Sequence, residues 1–365
     1  MGDLHDALRA DLTAIRNRLD TVAGYRVLNP VQREAVLAVQ RRADLALARL
    51  AAPPVTPPPP DPPPVEPPPP PVEPSPTNPY PTHPVHRPIP ADARQLEGIT
   101  LRPGIHLDAG YESPMVYPAW TGVTWTVVLP GHEAQVLAPA DIRAGAGSDH
   151  ALVILDMEAG VEYRMWRANV DAAARRITCQ NGNVIRLGTH EVLAGGDVTG
   201  SGMSYTVGMA YLDELAAGVI SHALRISASY IGGRFVPPAT KTDQTGAAPP
   251  EAPMGARVYL PADVDLAPIL AAIDAALAHP AHRRIGRALA TAIQSHGMIL
   301  SDGGGFANTV YVQGAPLPAL EAAMGPATGS YDGYPTWNAV GRAVSAALPW
   351  DRMRVTDDPR LAEWA

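Results

Sequence analysis

Short apolar runs and helical spacings follow one another irregularly over residues 91–365. Apolar runs bounded by Gly, Pro or Asp predict strands, whereas apolar residues three and four apart predict amphipathic helices. The predicted strands are Val123–Leu129, Ala151–Asp156, Val161–Ala168, Val184–Leu187, Ala223–Ser229, Arg257–Leu260, Met298–Leu300 and Thr309–Val312. The predicted helices are Tyr211–Ala217, Leu266–Ala278, His282–Ser295, Leu317–Met324 and Trp337–Leu348. Because no regular β-α repeat is present, the pattern predicts an α+β body with a mainly antiparallel sheet system.

Residues 1–51 have a different pattern, in which apolar positions alternate spacings of four and three. The first such seam comprises Leu8, Leu12, Ile15, Leu19 and Val22. A second seam follows the Asn29-Pro30 break and continues to Leu50. Leucine at one core position with Ile or Val at the other favours trimers or tetramers over dimers. We therefore predict a coiled-coil docking module that forms a homo-oligomer, preferably a trimer; a helical hairpin that packs on itself is the alternative.

Residues 52–90 are rich in proline: of the 41 prolines in the chain, 21 fall between Pro53 and Pro90. Proline fixes φ and lacks an N–H, so the segment is predicted to be an extended polyproline II linker. At about 3.1 Å per residue, the 38 residues from Pro53 to Pro90 would reach on the order of 115 Å. A ligand for an SH3-like groove is the alternative. His83 and His86 would bind a metal only with a third ligand from elsewhere, so no metal site and no cofactor are predicted.

Charge and hydropathy exclude several classes of protein. The formal net charge of −8 argues against nucleic acid as a partner, because phosphate binding requires clustered Lys and Arg. The chain contains no apolar stretch long enough for a membrane span, and its first residues lack the pattern of a signal peptide. We therefore expect neither membrane insertion nor a signal peptide. The single cysteine, Cys179, excludes an intrachain disulfide.

Familiar catalytic signatures, such as GxSxG, HExxH and GxxxxGK[ST], are absent from the sequence. Gly303-Gly304-Gly305 follows an apolar strand that ends in Asp302, as a phosphate loop would, but the Lys and Ser/Thr of such a loop are missing. A plain turn is therefore favoured for these glycines. Asp302 remains a candidate for an acid, base or nucleophile.

Asp149 and His150 form the first candidate site, because they immediately precede a predicted strand. An aspartate beside a histidine can orient the imidazole for general base catalysis. A turn in which the aspartate bonds its own backbone is the favoured alternative. Convergence of His150, His222 and Asp302 in one pocket would indicate an active or binding site.

Asp213 and Glu214, followed by His222, form a second group of candidates. Paired carboxylates suit glycoside hydrolysis, but adjacent helical residues point about 100° apart and are unlikely partners across one glycosidic bond. Lys241 lies in a polar loop of the kind that commonly displays binding residues. Trp120 is a candidate for contact with a sugar, although a core position is favoured for each tryptophan of this chain.

A set of short segments lies in order over residues 88–358: Pro88–Ala93, Ser148–Asp156, Gly200–Tyr205, Leu212–Leu224, Met254–Arg257, Ile285–Asp302 and Val355–Asp358. Through these segments the body resembles an uncharacterised family of bacterial and phage proteins. The most specific elements are His222-Ala223-Leu224 and His296-Gly297-Met298-Ile299-Leu300 with Asp302. The family implies no particular chemistry. The loop around Lys241 is shorter here and lacks the Trp-Pro-Ala of relatives, so the specificity of any ligand site there is expected to differ.

The order of a short helical module, a proline-rich linker and a terminal body is similar to minor tail or fibre proteins of phages of high-GC bacteria. This layout implies a virion tail-fibre or receptor-binding protein whose body binds a host cell-surface glycan, while residues 1–51 contact other virion tail proteins. Several weak sites on one oligomer would then act together to raise overall affinity. The expected location is the virion. A glycan-cleaving enzyme with the same architecture and a purely structural virion protein are the alternatives.

Overall fold

A computed structural model of the chain describes residues 79–80, 83–119, 122–189, 191–246 and 250–358. The chain divides into two units, residues 1–68 and 69–365, and every described residue belongs to the second unit. The helical module predicted for residues 1–51 and most of the predicted linker therefore lie outside the described residues. Trp120 also lies outside them.

The described strands form three larger sheets and two ribbons. The six-stranded sheet has the spatial order β1 (His106–Asp108), β16 (Asn308–Tyr311), β11 (Leu224–Ala228), β15 (Met298–Gly303), β14 (Arg257–Tyr259) and β19 (Arg354–Thr356). The five-stranded sheet has the order β10 (Val192–Gly195), β9 (Asn181–Arg186), β6 (Val161–Trp166), β5 (Leu152–Asp156) and β2 (Met115–Pro118). The four-stranded sheet has the order β4 (His132–Ala138), β3 (Val123–Leu129), β8 (Arg176–Thr178) and β7 (Asn169–Asp171). The ribbons pair β12 (Ile231–Phe235) with β13 (Ala252–Met254), and β17 (Gly329–Tyr331) with β18 (Tyr334–Thr336).

Five α-helices accompany these strands in the described part of the chain. They are α1 (Leu212–Ala217), α2 (Ala267–Ala276), α3 (Pro280–Ser295), α4 (Leu317–Met324) and α5 (Asn338–Ala347), and a 3₁₀ turn covers Pro84–His86. Every helix and strand predicted within residues 91–365 is present, with ends that differ by a few residues. Nine of the paired strand neighbours are antiparallel and five are parallel, so the predicted α+β class with a mainly antiparallel sheet system is confirmed. None of the described helices has the length and apolar character needed to cross a membrane.

The helices cover one face of the six-stranded sheet. Because side chains alternate along a strand, Leu224 and Ile226 of β11 and Leu300 of β15 face the helical core, which also contains Ile285 and Leu289 of α3. Nine residues of α3 are buried, as its amphipathic spacing predicts. This layer is the largest buried apolar cluster among the described residues and forms a rigid support for the opposite face.

The opposite face of the six-stranded sheet carries a row of large side chains. Arg225 of β11 and Arg257 of β14 are both paired in register with Ile299 of β15, and all three are fully buried. Arg257 donates hydrogen bonds to the carbonyl oxygens of Pro84 at 2.7 Å, Arg87 at 2.8 Å and His296 at 3.3 Å. A buried cation thus attaches the segment around Pro84 to the sheet.

The five-stranded and four-stranded sheets pack face to face. In β5 the run Leu-Val-Ile-Leu is buried on both faces, because Leu152 and Ile154 face the four-stranded sheet while Val153 and Leu155 join a separate cluster with Tyr205. A continuous apolar run of this kind is typical of a strand with no solvent-facing side. The five-stranded sheet is therefore an inner layer of the body.

The body begins on the N-terminal side of residue 91, where the sequence predicts the end of the linker. Tyr80 and Val85 are fully buried and share a cluster with Ile185 and Ile299. The Val85 carbonyl also accepts a hydrogen bond from the backbone N–H of Ala223. The last described residues of the proline-rich segment are therefore part of the packed structure.

Candidate functional site

A cleft of about 340 Å³ lies at the end of the six-stranded sheet near β1 and β16. Its lining combines aromatic rings, carboxylates and small polar groups. The residues are His106, Leu107, Asp108, Ala109, Tyr111, Glu112, Ser148, Asp149, Ser227, Gly303, Gly304, Gly305, Phe306, Thr309, Tyr311, Tyr331, Tyr334, Pro335, Thr336 and Asn338. A concave site with apolar walls and a few convergent polar groups has the general form of a small-molecule site.

The β17–β18 hairpin supplies two of the rings. Asp332 and Gly333 form its two-residue turn, with φ of 50° and 82°, the positive values that a type I′ turn requires. Tyr331 and Tyr334 flank the turn, and the Tyr334 hydroxyl donates to the Ala109 carbonyl at 3.2 Å. The hairpin therefore holds two tyrosines over the loop that follows β1.

The aromatic rings contact one another mainly at steep angles. The Tyr331 ring lies edge-on to Tyr111, with centroids 5.2 Å apart and an interplanar angle of 88°, and to Phe306 at 6.1 Å and 79°. Tyr334 contacts Tyr111 at 6.0 Å and 55°. His106 is tilted against Phe306 at 4.2 Å. The five rings therefore present faces in several directions around the cleft.

Two of the three carboxylates in the cleft order the backbone beside it. The carboxylate oxygens of Asp108 accept the backbone N–H groups of Tyr111 and Glu112, each at 2.9 Å. Glu112 in turn accepts the backbone N–H groups of Ser148 and Asp149, each at 3.0 Å. Each carboxylate therefore fixes the position of the next residue along the cleft wall.

Asp149 is the candidate from the sequence that lines this cleft. Its Oδ1 accepts the Trp166 Nε1–H at 2.8 Å, and the side chain is half-buried. Burial raises the pKa of Asp149, the nearby Glu112 carboxylate raises it further, and the hydrogen bond from Trp166 opposes both. The structure thus places an acid with a raised pKa next to a second carboxylate in the cleft.

Asp302 lies close behind the cleft, next to its glycine-lined wall. A β-carbon at Gly200 would lie 2.6 Å from Asp302 Oδ1 and 2.8 Å from Asp243 Oδ1, so only glycine allows both carboxylates to approach this backbone. Burial, together with the Asp243 and Asp149 carboxylates and against the Arg225 cation, raises the pKa of Asp302 to about 7. The charge of a buried arginine therefore acts on Asp302.

Arg225 occupies the space between Asp302 and two aromatic rings. Its guanidinium lies 5.3 Å from the ring centroid of Tyr311, which lines the cleft, and 5.7 Å from that of Tyr205. Its Nη1 donates to the Ser204 carbonyl. Contact of a guanidinium with aromatic faces stabilises the charge in a buried setting. The cation therefore supports the floor of the cleft from behind and is not among its lining residues.

Lys241 and its loop pack beside this group but outside the cleft. Lys241 Nζ lies 3.3 Å from Asp197 Oδ2, and both side chains are about two-fifths exposed. Gln244 donates to Asp243 at 2.8 Å and lies against Gly303 at the end of β15. Lys241 thus forms an ion pair with Asp197 on the surface, whereas Asp243 and Gln244 lie behind the glycine-lined wall of the cleft.

The second group of candidates lies elsewhere. His222 is fully buried, and its Nε2 lies 2.9 Å from Glu214 Oε2. Glu214 also accepts the Tyr211 N–H at the start of α1, and Asp213 accepts the N–H of Glu214. None of these residues lines the cleft. Glu214 and His222 therefore connect the start of α1 to the residues immediately before β11.

His150 is exposed and does not meet the other candidates. It adopts a positive φ of 40°, its Nδ1 lies 3.2 Å from the Gly145 carbonyl oxygen, and it lines a shallow depression with Arg143 and Arg167. The structure therefore separates His150, His222 and Asp302 into three places. Within the described residues no group of three or more His, Cys, Asp or Glu side chains is arranged to hold a metal ion.

Acid is expected to destabilise the body through a partly buried group of histidines. Burial, together with the nearby His222, Arg257 and His86, lowers the pKa of His296 to about 4. The folded state therefore keeps His296 neutral, whereas the unfolded chain binds a proton below about pH 6.5. Stability present above that pH is lost as the pH falls towards 4, by about 1.4 kcal/mol per pH unit for each proton bound.

Urea unfolding at pH 7 and pH 5 measures this dependence. His296→Asn should reduce it, whereas His132→Asn, a change in the β3–β4 hairpin, should leave it as in the wild type. Equal pH dependence in the His296→Asn variant and the wild type would contradict the assignment.

The main features of the cleft were not predicted from the sequence. Tyr111, Phe306, Tyr331 and Tyr334 are separated by up to 223 positions, and only the pairing of β1 with β16 and the packing of the hairpin unite them. One local signal was available, because the Asp332-Gly333 pair between two tyrosines is a recognised hairpin turn. Of the seven candidates that lie within the described residues, Asp149 alone lines the cleft.

Comparison of the chain with protein-family models, curated proteins and solved structures finds no significant match.

Proposed function

We propose that the body binds a carbohydrate in the aromatic cleft and that the chain acts as a tail-fibre or receptor-binding protein of a phage virion. The observation that carries the binding proposal is the cleft itself, in which aromatic side chains stand beside fixed hydrogen-bond acceptors. Flat rings offer apolar contact area, and ordered carboxylates accept hydrogen bonds from sugar hydroxyls. The volume of about 340 Å³ suits a ligand of one or two sugar rings.

The predicted arrangement of modules supports the second half of the proposal. An oligomerising helical segment and a proline-rich linker would display several copies of the body on one base, which raises overall affinity when sites engage together. Mass spectrometry of purified virions tests this location, with the chain expected among the structural proteins. Its absence from virions that adsorb normally would contradict the proposed location and leave the binding proposal to its own test.

Tyr331→Ala is expected to weaken binding of the full chain to host cells by about 10-fold or more, which corresponds to about 1.4 kcal/mol. The side chain is about half exposed and contacts two other rings of the cleft, so its removal opens the aromatic wall without disturbing the core. Binding of labelled protein to cells measures the effect. Phe235→Ala removes an equally exposed ring outside the cleft and should bind as the wild type does. Equal binding by Tyr331→Ala and the wild type would contradict the cleft as the binding site.

Cleavage of the bound glycan is a second candidate function, favoured by Asp149. An acid whose pKa is raised by burial, in a cleft with a second carboxylate, has the properties of a general acid in glycoside hydrolysis. Incubation with host cell-wall polysaccharide, followed by a reducing-end assay, tests for cleavage. Binding without release of reducing ends would contradict this function and leave the binding proposal intact.

A further inference from the structure

We propose that the cleft selects a saccharide that carries a free, protonated amine. This inference rests on the proposed carbohydrate binding and adds the charge class of the ligand. It is argued from the relative orientation of the rings, the carboxylates beside them and the position of the nearest cations.

The rings form a partial box. Tyr111 and Phe306 both meet the Tyr331 ring nearly at right angles, at 88° and 79°. A single pyranose ring stacks on one flat face, whereas perpendicular faces surround a compact group. An ammonium placed among several ring faces gains cation–π stabilisation from each of them, and such boxes recognise substituted ammonium groups. The steep angles therefore suit a small cation better than an extended apolar surface.

Negative charge lies next to the rings. Asp108, Glu112 and Asp149 line the same cleft, and Asp332 accepts the Tyr111 hydroxyl at 3.4 Å. The carboxylates of Glu112 and Asp149 are held in place by hydrogen bonds from the protein, so little reorganisation is needed when a cation binds. Fixed carboxylates beside aromatic faces attract an ammonium more strongly than either group does alone.

Positive charge lies at the periphery of the cleft. The described lining residues include no Lys or Arg, and His106 is the only imidazole among them. Arg167 lies near enough to Asp149 to lower its pKa, but it lines the neighbouring depression with His150 and not the cleft. Burial and the Arg342 cation lower the pKa of His106, so this ring is neutral at neutral pH. Arg225 lies behind the Tyr311 ring, close to the Asp302 carboxylate. A uronate, sialate or phosphate group would thus meet carboxylates without a compensating cation in the cleft, which disfavours acidic glycans.

Calorimetry on the full chain with three oligosaccharides of equal length tests the selection. The probes are a fully deacetylated glucosamine oligomer, the N-acetylglucosamine oligomer and a galacturonate oligomer, at a mildly acidic pH that protonates the amines. The glucosamine oligomer is expected to bind at least 10-fold more tightly than the N-acetylated one, and the galacturonate oligomer more weakly than both. Added salt should reduce the preference, because the attraction is electrostatic.

Asp149→Asn provides the matched test within the protein. The amide oxygen can still accept the hydrogen bond from Trp166, while the negative charge is lost. The variant should bind the glucosamine oligomer about 5- to 10-fold more weakly and the N-acetylated oligomer almost as before. Glu133→Gln neutralises an exposed carboxylate on β4, outside the cleft, and should leave the preference unchanged.

Equal or tighter binding of the N-acetylated oligomer would overturn the amine selection while supporting carbohydrate binding. Failure of the glucosamine oligomer to bind would also overturn it. Cell binding by the Tyr331→Ala variant then decides the proposed function separately. An equal loss of affinity for the glucosamine and the N-acetylglucosamine oligomers in Asp149→Asn would show that Asp149 maintains the shape of the cleft and does not attract the amine through its charge. This result would contradict the inference.

Discussion

Glu162→Ala is expected to destabilise the body by about 3–5 kcal/mol, because it removes the acceptor on which three buried hydroxyls depend. Glu162 of β6 is fully buried and accepts hydrogen bonds from Tyr80 at 2.9 Å, from Ser204 at 2.7 Å and from Thr206 at 2.8 Å. Burial and the Glu162 charge raise the pKa of Tyr80, so its phenol remains a donor. Alanine would leave these hydroxyls without their acceptor and create a cavity in place of the buried side chain.

The midpoint of urea unfolding, followed by tryptophan fluorescence, measures this loss. Glu162→Gln retains one acceptor oxygen and should fall between alanine and the wild type. Glu133→Ala removes an exposed glutamate from β4 and should change stability by less than about 0.5 kcal/mol. A Glu162→Ala variant within about 1 kcal/mol of the wild type would show that the three hydroxyls find other acceptors.

Arg257→Ala is expected to cost a similar amount, about 3–5 kcal/mol, and to release the segment around Pro84 from the sheet. The guanidinium is fully buried and donates to three carbonyl oxygens, two of which belong to Pro84 and Arg87. Hydrogen bonds from a charged donor are stronger than neutral ones, and Arg257 donates to both of these carbonyls. Loss of this side chain therefore weakens the attachment of the segment and the packing of β14 together.

Hydrogen exchange separates the two effects. In Arg257→Ala the amide of Ala223, which donates to the Val85 carbonyl, should exchange faster than in the wild type. The amides within α3 should keep the same ranking from slowest to fastest exchange. Arg287→Ala, which removes an exposed ion pair on α3, should affect neither stability nor exchange at Ala223. Unchanged exchange at Ala223 in Arg257→Ala would contradict the role of Arg257 in holding the segment.

The regular elements of the body were predictable because their apolar patterns are strong. Val123–Leu129 alternates buried and half-exposed residues, and α3 buries one face over 16 residues. The partner strand of Val123–Leu129, β4, was missed because its His132, Glu133 and Gln135 are exposed or half-exposed and weaken the pattern. Several three-residue strands were missed as well, since so short a segment carries no detectable period.

Prediction of the site was poorer for a physical reason. Acids that are neighbours in the sequence can bind the backbone and not a ligand, as Asp213 and Glu214 do by accepting hydrogen bonds from N–H groups at the start of α1. The cleft instead combines single residues from distant strands and loops. Only the tertiary fold brings the ring centroids of Tyr111 and Tyr331 to 5.2 Å from each other. Asp149 was found because its position just before a strand did coincide with the cleft wall.

The β17–β18 hairpin also determines how the protein can change over evolutionary time. Its eight residues from Gly329 to Thr336 are exposed or half-exposed, and they form no part of the main apolar cluster. Replacement of Tyr331 or Tyr334, or insertion at the Asp332-Gly333 turn, would alter the wall of the cleft at little cost to folding. Under the proposed function, the hairpin would therefore allow ligand preference to change through substitutions that leave the packing of the six-stranded sheet intact.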